Sequence, residues 1–211
     1  MLKVKQLITA ISLALCLISL SVILTLNFRP LYQWEMKWSN LAEKTGVSEE
    51  IILSNYDALI EYNSVLYTEE LQFPTLPMSE SGKIHFEEVK NIFVFFQAVL
   101  FPVTLAIVVL GAWLLRKEIP QYLKWAAYFM IGIPAVLGTL IGLYWDKVFV
   151  LFHKLMFNND YWIFDYRTDP IILFLPDSYF MHCAIMILVL VVFSSVVCLL
   201  IYGCMNKKVI K

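Results

Sequence analysis

Charged residues are scarce in this chain and are absent from four long stretches. Only 16% of the 211 residues are Asp, Glu, Lys or Arg, and 60% are hydrophobic, whereas a soluble domain carries about 25% charged residues. No charged side chain occurs in residues 6–28, 91–115, 125–145 and 178–206. Each stretch reaches the roughly 20 residues that a membrane-spanning helix needs. This composition excludes an ordinary soluble enzyme and predicts an all-α integral membrane protein with four transmembrane helices.

Cysteine is missing from the two long polar segments that separate these stretches. All four cysteines lie within the apolar stretches, at Cys16, Cys183, Cys198 and Cys204. Disulfides therefore cannot hold the polar segments 29–90 and 146–177 together. We expect these two outer loops to form a small, mainly helical extracytoplasmic cap that is stabilised by packing.

The basic residues are distributed unevenly among the polar segments. Residues 1–5, 116–124 and 207–211 hold eight Lys or Arg and one acid, whereas 29–90 and 146–177 hold eight basic and sixteen acidic residues. Short cytoplasmic loops are enriched in Lys and Arg. Both chain termini are therefore predicted to be cytoplasmic, and the two longer segments are predicted to lie outside.

The predicted organisation has eight consecutive segments. The first apolar stretch is expected to be an uncleaved helix, because no small-residue cleavage site follows it. The net charge of −1 gives no indication of a nucleic-acid partner, and we expect none. In order, the segments are transmembrane helix 1 (1–28), extracytoplasmic segment 1 (29–90), transmembrane helix 2 (91–115), a cytoplasmic turn (116–124), transmembrane helix 3 (125–145), extracytoplasmic segment 2 with an interfacial helix (146–177), transmembrane helix 4 (178–206) and a cytoplasmic tail (207–211).

Apolar residues at helical spacing predict further helices in the first outer segment. Two amphipathic helices are expected on either side of Thr45-Gly46, the second after an N-cap at Ser48, and a third helix from about Gly82 leads into the second span. The two prolines of 71–78 predict an extended crossing between them. The apolar positions are Leu31, Trp34, Trp38 and Leu41 in the first helix, and Ile52, Tyr56, Leu59 and Ile60 in the second.

The second outer segment begins with aromatic and apolar residues on one helix face. Phe149, Phe152, His153, Met156 and Phe157 have the spacing of a single face, which predicts an amphipathic helix in the membrane interface. His153 lies on that apolar face. A loop that mixes acids with aromatic residues follows.

Small residues and prolines within the spans have structural interpretations. Gly138 and Gly142 are spaced for close helix packing on the third span. Pro102 and Pro134 are expected to kink the second and third spans.

Several catalytic motifs are absent, which restricts the chemistry that the chain can perform. There is no G-x-S-x-G elbow, P-loop or dinucleotide fingerprint, and the lack of outer cysteines disfavours a structural zinc site. Three histidines remain, His85, His153 and His182, all predicted near the outer membrane surface. Imidazole titrates near neutral pH, which suits general acid/base catalysis.

The surroundings of each histidine distinguish the three. His85 is followed closely by two glutamates, of which Glu88 is a helical turn away, and His153 has Asp146 seven residues earlier on the same face. Asp165 and Asp169 are further carboxylates that could orient an imidazole. His182 opens an apolar run, which favours a packing role.

Two serines near His85 have a structural and a catalytic interpretation. Ser79 and Ser81 are expected to cap the following helix, and a role as nucleophile stays the alternative.

At these residues the chain resembles the lipoprotein intramolecular transacylases (Lit) of Gram-positive bacteria. The likeness covers nearly the whole sequence. Glu88 stands where the family has an aspartate, and Tyr166 stands where a proline is common. The matching pieces are Asn55-Tyr56 with Leu59-Ile60-x-Tyr62, Met78-Ser79, Gly82-x-x-His85-Phe86-Glu87-Glu88-Val89-Lys90, Phe152-His153 through Asn159-Asp160-Tyr161-Trp162, Asp165, Asp169-Pro170-Ile171-Ile172 and Leu175-Pro176-x-x-Tyr179-Phe180.

The resemblance implies an enzyme of the bacterial plasma membrane. Lit-like acyltransferases move the sn-2 acyl chain of a diacylglyceryl-modified lipoprotein to the α-amine of its N-terminal cysteine, which gives the lyso-form lipoprotein. The substrate would lie in the outer leaflet among membrane lipid, and no metal or other cofactor is implied. The oligomeric state is left open, with a monomer favoured. His85 and His153 are the expected catalytic residues. Expected orienting or substrate-binding residues are Glu88, Asp146, Tyr161, Trp162, Asp165 and Asp169.

Two other functions are compatible with the sequence. A non-enzymatic binding or accessory protein would depend on the outer aromatic residues Trp34, Trp38 and Trp162 instead of the histidines. A metal-dependent lipid hydrolase would lose its activity with a chelator. A transporter is disfavoured, because no ionisable acid or base lies inside the four apolar stretches.

Overall fold

The computed structural model describes residues 1–209, so the predicted tail 207–211 lies partly outside the described residues. The described residues form eight α-helices and no β-strand. The all-α prediction is therefore confirmed. The helices are α1 (Leu2–Asn27), α2 (Arg29–Trp38), α3 (Leu41–Thr45), α4 (Glu49–Tyr62), α5 (Glu80–Val94), α6 (Phe101–Leu114), α7 (Gln121–Met156) and α8 (Asp177–Val209).

Four helical segments are long and apolar enough to cross a membrane: Leu2–Asn27, Glu80–Leu114, Gln121–Met156 and Asp177–Asn206. Each contains or closely matches one of the predicted spans. The second is 35 residues long, or about 52 Å at 1.5 Å per residue, which exceeds a hydrocarbon core of about 30 Å. Its charged first turns therefore extend beyond the apolar span.

The chain divides into two compact units. The span unit comprises Met1–Leu24, Phe96–Leu143 and the chain from Ile185 onward, and the loop unit comprises Thr25–Phe95 and Tyr144–Ala184. The span unit packs around small and apolar residues of α1, α7 and α8. Its buried core is formed by Ala14, Leu123, Ala127, Met130, Val191 and Cys198.

The glycines predicted to pack the third span do so only weakly. A Cβ at Gly138 would meet a Leu188 methyl at 3.6 Å, an ordinary contact, and at Gly142 it would meet nothing within 4 Å among the described residues. Two span helices approach closely at a different glycine, Gly111 of α6, where a Cβ would overlap the Thr9 side chain of α1. The predicted close packing at Gly142 was therefore wrong.

One of the two predicted proline distortions is present. A π-helical turn, Phe95–Leu100, precedes Pro102. The proline removes a helical hydrogen bond and its ring crowds the preceding turn, which accounts for the distortion. Pro134 stays within regular helix, and the non-helical residue of α7 is Tyr144, with φ −142° and ψ 41°. Residues 145–156 therefore form the predicted separate helix of the second outer segment.

The loop unit is held together by a large buried aromatic cluster. The rings of Tyr32 and Tyr56 stack at 3.6 Å, and Tyr179 packs edge-on against both. Tyr56 and Tyr179 also share a hydroxyl hydrogen bond of 2.8 Å, and Tyr32 donates to the Phe174 carbonyl. These contacts join α2, α4, the 3-10 turn Pro170–Phe174 and the start of α8 without a disulfide.

The first amphipathic helix differs from its prediction in extent and orientation. It ends at Trp38, because Asn40 adopts a left-handed conformation with φ 50° and separates α2 from α3. The helix buries Tyr32, Glu35 and Met36, whereas Trp38 is 70% exposed. Three helices therefore stand where two were expected. The N-cap predicted for the second amphipathic helix is confirmed, since Ser48 caps α4 by accepting from the Ile51 amide.

Candidate active site

His85 is positioned by the first turns of α5. Ser79 is the N-cap of this helix and accepts the Gly82 amide at 3.0 Å, which confirms the predicted capping role. The Ser79 amide donates to Asp169 Oδ1 at 2.8 Å, and Thr168 donates to Asp169 Oδ2 at 2.7 Å. Asp169, only 2% exposed, thereby attaches the second outer segment to the helix end that carries His85.

Gly82 is required by this attachment, because a Cβ there would overlap the Asp169 carboxylate. We expect Gly82→Ala to lower the apparent melting temperature, at an overpacking cost of about 1–3 kcal/mol, and to reduce activity by displacing His85. Thermal unfolding of the purified protein measures this effect. Gly132→Ala is the matched control, since a Cβ at Gly132 meets nothing within 4 Å in the part of the chain that the structure describes. Equal stability of the two variants would contradict this role of Gly82.

His85 lies in an aromatic enclosure and is only 5% exposed. Its ring centroid is 4.8 Å from that of Phe157, 5.5 Å from Phe164 and 5.9 Å from Phe86. Its Nδ1 atom is buried and has no hydrogen-bond partner among the described residues. Burial without a partner disfavours the charged imidazolium. The ring is therefore suited to be a neutral base at rest.

His153 is the second histidine of the site, with its ring centroid 6.1 Å from that of His85. Its Nδ1 is 2.8 Å from the Phe149 carbonyl oxygen. A carbonyl only accepts, so Nδ1 carries the proton and Nε2 keeps a lone pair in the neutral ring. The Trp162 ring packs on the imidazole at 4.7 Å. The orientation of His153 is thus fixed by its own helix and by the following loop.

Three more polar groups near the histidines are buried without partners among the residues described. Glu88 follows His85 by one turn of α5; its Oε1 accepts from Asn159 Nδ2 at 2.8 Å, whereas its Oε2 has no partner. The indole N–H groups of Trp145 and Trp162 are unpaired as well. Buried polar groups are normally hydrogen-bonded, so several such groups in one region indicate a site for a polar ligand.

The other predicted site residues lie at the periphery. Asp146 and Tyr161 are exposed. Asp165 lies in a surface turn, where hydrogen bonds from the Arg167 guanidinium and amide lower the pKa of its carboxyl to about 2. This pair holds the carboxylate at the surface. The structure thus brings His85, His153, Glu88 and Trp162 into one neighbourhood, supported by Asp169.

Glu35, which the sequence analysis missed, forms the partner of His182. It is fully buried, and its Oε2 lies 2.6 Å from His182 Nδ1. Ser39 and Ser178 both donate to its Oε1 at 2.6 Å. The position of Glu35, three residues after Tyr32 on the buried face of α2, was the available signal. The packing role predicted for His182 agrees with this cluster.

The chemistry available to the site follows from its groups. Two imidazoles whose ring centroids are 6.1 Å apart can accept a proton from one substrate atom and return it to another. An indole N–H can donate to an oxyanion, and the aromatic walls exclude water. Together, fold and site define a polytopic membrane protein with a histidine pair, His85 buried and His153 half-buried, suited to acyl or proton transfer.

The chain belongs to the Lit family. A family model described as "Lipoprotein intramolecular transacylase Lit" matches residues 7–180, and the protein is accordingly a membrane-integral acyltransferase of the transacylase class. A comparison with curated proteins finds no match.

Solved structures of a Bacillus cereus protein agree with this assignment. The chain is 37% identical to the membrane-integral lipoprotein intramolecular transacylase Lit from Bacillus cereus, with a TM-score of 0.96 over 99% of this chain and 97% of that one. Structures of the same protein carrying an H85R or an H85A mutation match with a TM-score of 0.89 at 37% identity. They cover 99% of this chain and 93% and 94% of theirs.

Proposed function

We propose that the protein transfers the sn-2 acyl chain of a diacylglyceryl-cysteine lipoprotein to the α-amine of the same cysteine. The observation that carries this proposal is the pair of His85 and His153, whose ring centroids are 6.1 Å apart in an aromatic environment. The family and the Bacillus cereus transacylase support the reaction class. The product would be an N-acyl, S-monoacylglyceryl lipoprotein.

His85 is proposed as the general base that activates the amine. It is nearly fully buried and its Nδ1 is unpartnered, so its neutral form is available to remove a proton from the nitrogen. Burial, with a smaller effect of the neighbouring His153, lowers the pKa of His85 to about 4, so the ring is neutral near neutral pH.

His153 is proposed as the group that protonates the departing glycerol oxygen. Its Nδ1–H donates to the Phe149 carbonyl, so Nε2 is the atom that can accept a proton from the attacking nitrogen and pass it to the glycerol oxygen. The amine nitrogen attacks the ester carbonyl carbon, the N–C bond forms and the C–O bond to glycerol breaks. One ammonium proton stays on the amide, one reaches the glycerol oxygen and one is released to solvent.

No cofactor enters this reaction, because donor and acceptor are parts of one molecule. Well-oriented intramolecular reactions reach effective molarities of about 10⁵–10⁸ M. The role of the enzyme is then to hold the amine near the ester and to move protons. We place the site at the outer surface of the bacterial plasma membrane with both termini cytoplasmic, on the basis of the Lys and Arg distribution.

The direct test is expression of the chain in a bacterium whose lipoproteins carry free diacylglyceryl N-termini. Fragmentation mass spectrometry of one abundant lipopeptide should find an acyl chain on the amine instead of on glycerol, at unchanged total mass. An unchanged lipopeptide, with the protein inserted in the membrane, would reject the transacylase and favour a binding protein. In that case the exposed Trp34 and Trp38 would be the first residues to substitute.

Trp162 is proposed to donate its buried, unpaired N–H to the oxyanion of the tetrahedral intermediate. Trp162→Phe keeps a ring against His153 and removes only this donor. We expect the rate constant to fall about 10- to 100-fold, the equivalent of one hydrogen bond to a charged acceptor of roughly 1.5–3 kcal/mol, with little change in KM. Trp38→Phe, at a 70% exposed position, is the matched control. An equal effect of both substitutions would reject this role.

A further inference from the structure

The strongest unexplained feature of the loop unit is a pair of unpartnered polar atoms on one face of α5. His85 Nδ1 and Glu88 Oε2 are both buried and have no hydrogen-bond partner among the described residues. The two residues are three positions apart, so their side chains are neighbours on the helix surface. Asn159 donates to the other Glu88 oxygen at 2.8 Å and thereby fixes the carboxylate while leaving Oε2 open.

This arrangement favours a ligand that donates several hydrogen bonds and carries a positive charge. A carboxylate oxygen accepts only, and a neutral imidazole offers one lone pair. A carboxylate oxygen that is buried without a partner is costly, so the unpaired Oε2 of Glu88 favours a cation. A primary ammonium has three N–H donors, enough to satisfy the carboxylate and the imidazole at once.

We propose that Glu88 and His85 together form the binding site for the α-ammonium of the lipidated cysteine, with Glu88 as the residue that selects a free amine. This assignment rests on the proposed function for the identity of the substrate. The unpaired Glu88 Oε2 accepts one N–H of the ammonium, and a second N–H points to the lone pair of the His85 imidazole. Transfer of that proton to His85 leaves a neutral amine beside the ester, ready to attack.

The neighbouring acid provides a matched control. Glu87 is exposed, whereas Glu88 is half-buried and bonded to Asn159. Glu87→Gln and Glu88→Gln make the same change of charge at adjacent positions of α5. A non-specific effect of net charge on the substrate would appear in both variants, and a specific ammonium site only in Glu88→Gln.

The experiment measures binding of two unreactive lipopeptides to the purified protein. Both carry an ether in place of the sn-2 ester, so that no acyl transfer can occur; one has the free α-amine and the other has a hydroxyl in its place. We expect the wild type and Glu87→Gln to bind the amine at least about tenfold more tightly than the hydroxyl compound. Glu88→Gln should lose this preference while binding the hydroxyl compound as the wild type does.

The outcomes separate the two proposals. Equal binding of both compounds by the wild type, or an unchanged preference in Glu88→Gln, would overturn the ammonium site even if the ester substrate is converted. If Glu88→Gln binds neither compound, Glu88→Asp is measured as well; it keeps a carboxylate and should prefer the amine, so binding of both compounds without that preference would overturn the site as well. Failure of the wild type to move the acyl chain of the ester substrate would instead overturn the proposed function.

Discussion

Replacement of His85 by alanine is expected to abolish acyl transfer without removing the protein from the membrane. General acid/base catalysis contributes about 10²–10⁴-fold, so a loss of this order is the minimum for the residue proposed as the base. The rings nearest to His85 are those of Phe157, Phe164 and Phe86, which cannot accept a proton, and His153, 6.1 Å away, is assigned to the departing glycerol oxygen. The position of the acyl chain on a lipopeptide substrate measures the loss.

The fold should tolerate this substitution. His85 Nδ1 has no hydrogen-bond partner among the described residues, so alanine leaves no protein group without its partner. A matched control is His182→Asn, which keeps a donor near the position of the Nδ1 that contacts Glu35. This variant should retain transfer. Full activity of His85→Ala, or equal losses in the two variants, would reject His85 as the base.

Replacement of Glu35 by alanine is expected to cause the largest loss of stability. The substitution leaves Ser39, Ser178 and His182 without their acceptor. Leaving a buried donor without its acceptor costs about 1–3 kcal/mol, and here three half-buried donors lose the same fully buried acceptor. We therefore expect a fall in the apparent melting temperature of the purified protein. Glu61→Ala, at an exposed position of α4, should change it little, and a similar fall in both would contradict the prediction.

Acidification should reduce the difference between the wild type and Glu35→Ala. Burial raises the pKa of Glu35, but the hydrogen bonds from Ser178, Ser39 and His182 outweigh it, and the pKa lies below its ordinary value of 4.5. A lowered pKa in the folded state means that the carboxylate stabilises the fold above that value. The contribution is lost as the pH falls from 4.5 through the folded pKa. Melting temperatures of both proteins across this range measure the effect, and a constant difference would exclude it.

The comparison of Glu35 with the predicted acids shows why the site was only partly predictable. Local spacing identified His85 and Glu88 as neighbours and Ser79 as a cap, because a helix fixes the relation of residues three or four apart. The sequence did not connect Glu35 with His182, since 147 residues separate them. The same holds for Glu88 with Asn159, 71 residues apart.

The tryptophans illustrate a second reason. Helical spacing placed Trp34 and Trp38 on the apolar face of a helix, yet the loop unit buries Tyr32 and Met36 instead. A spacing pattern shows which residues share a face but not which face meets the core. Asp165 is a similar case. The sequence suggested that its carboxylate could orient an imidazole, but in the structure it pairs with Arg167 instead.

The sequence by itself determined the four spans, the all-α class and the histidines as the candidate bases. Hydrophobic length and helical periodicity are local properties of the chain, and they do not depend on which segments meet. Only the tertiary structure decided that His153 lies beside His85, that Asp169 holds the end of α5 and that Glu35 belongs to His182. These relations depend on contacts between distant segments, which are fixed by the packing of the aromatic core of the loop unit and are encoded in no single stretch of the sequence.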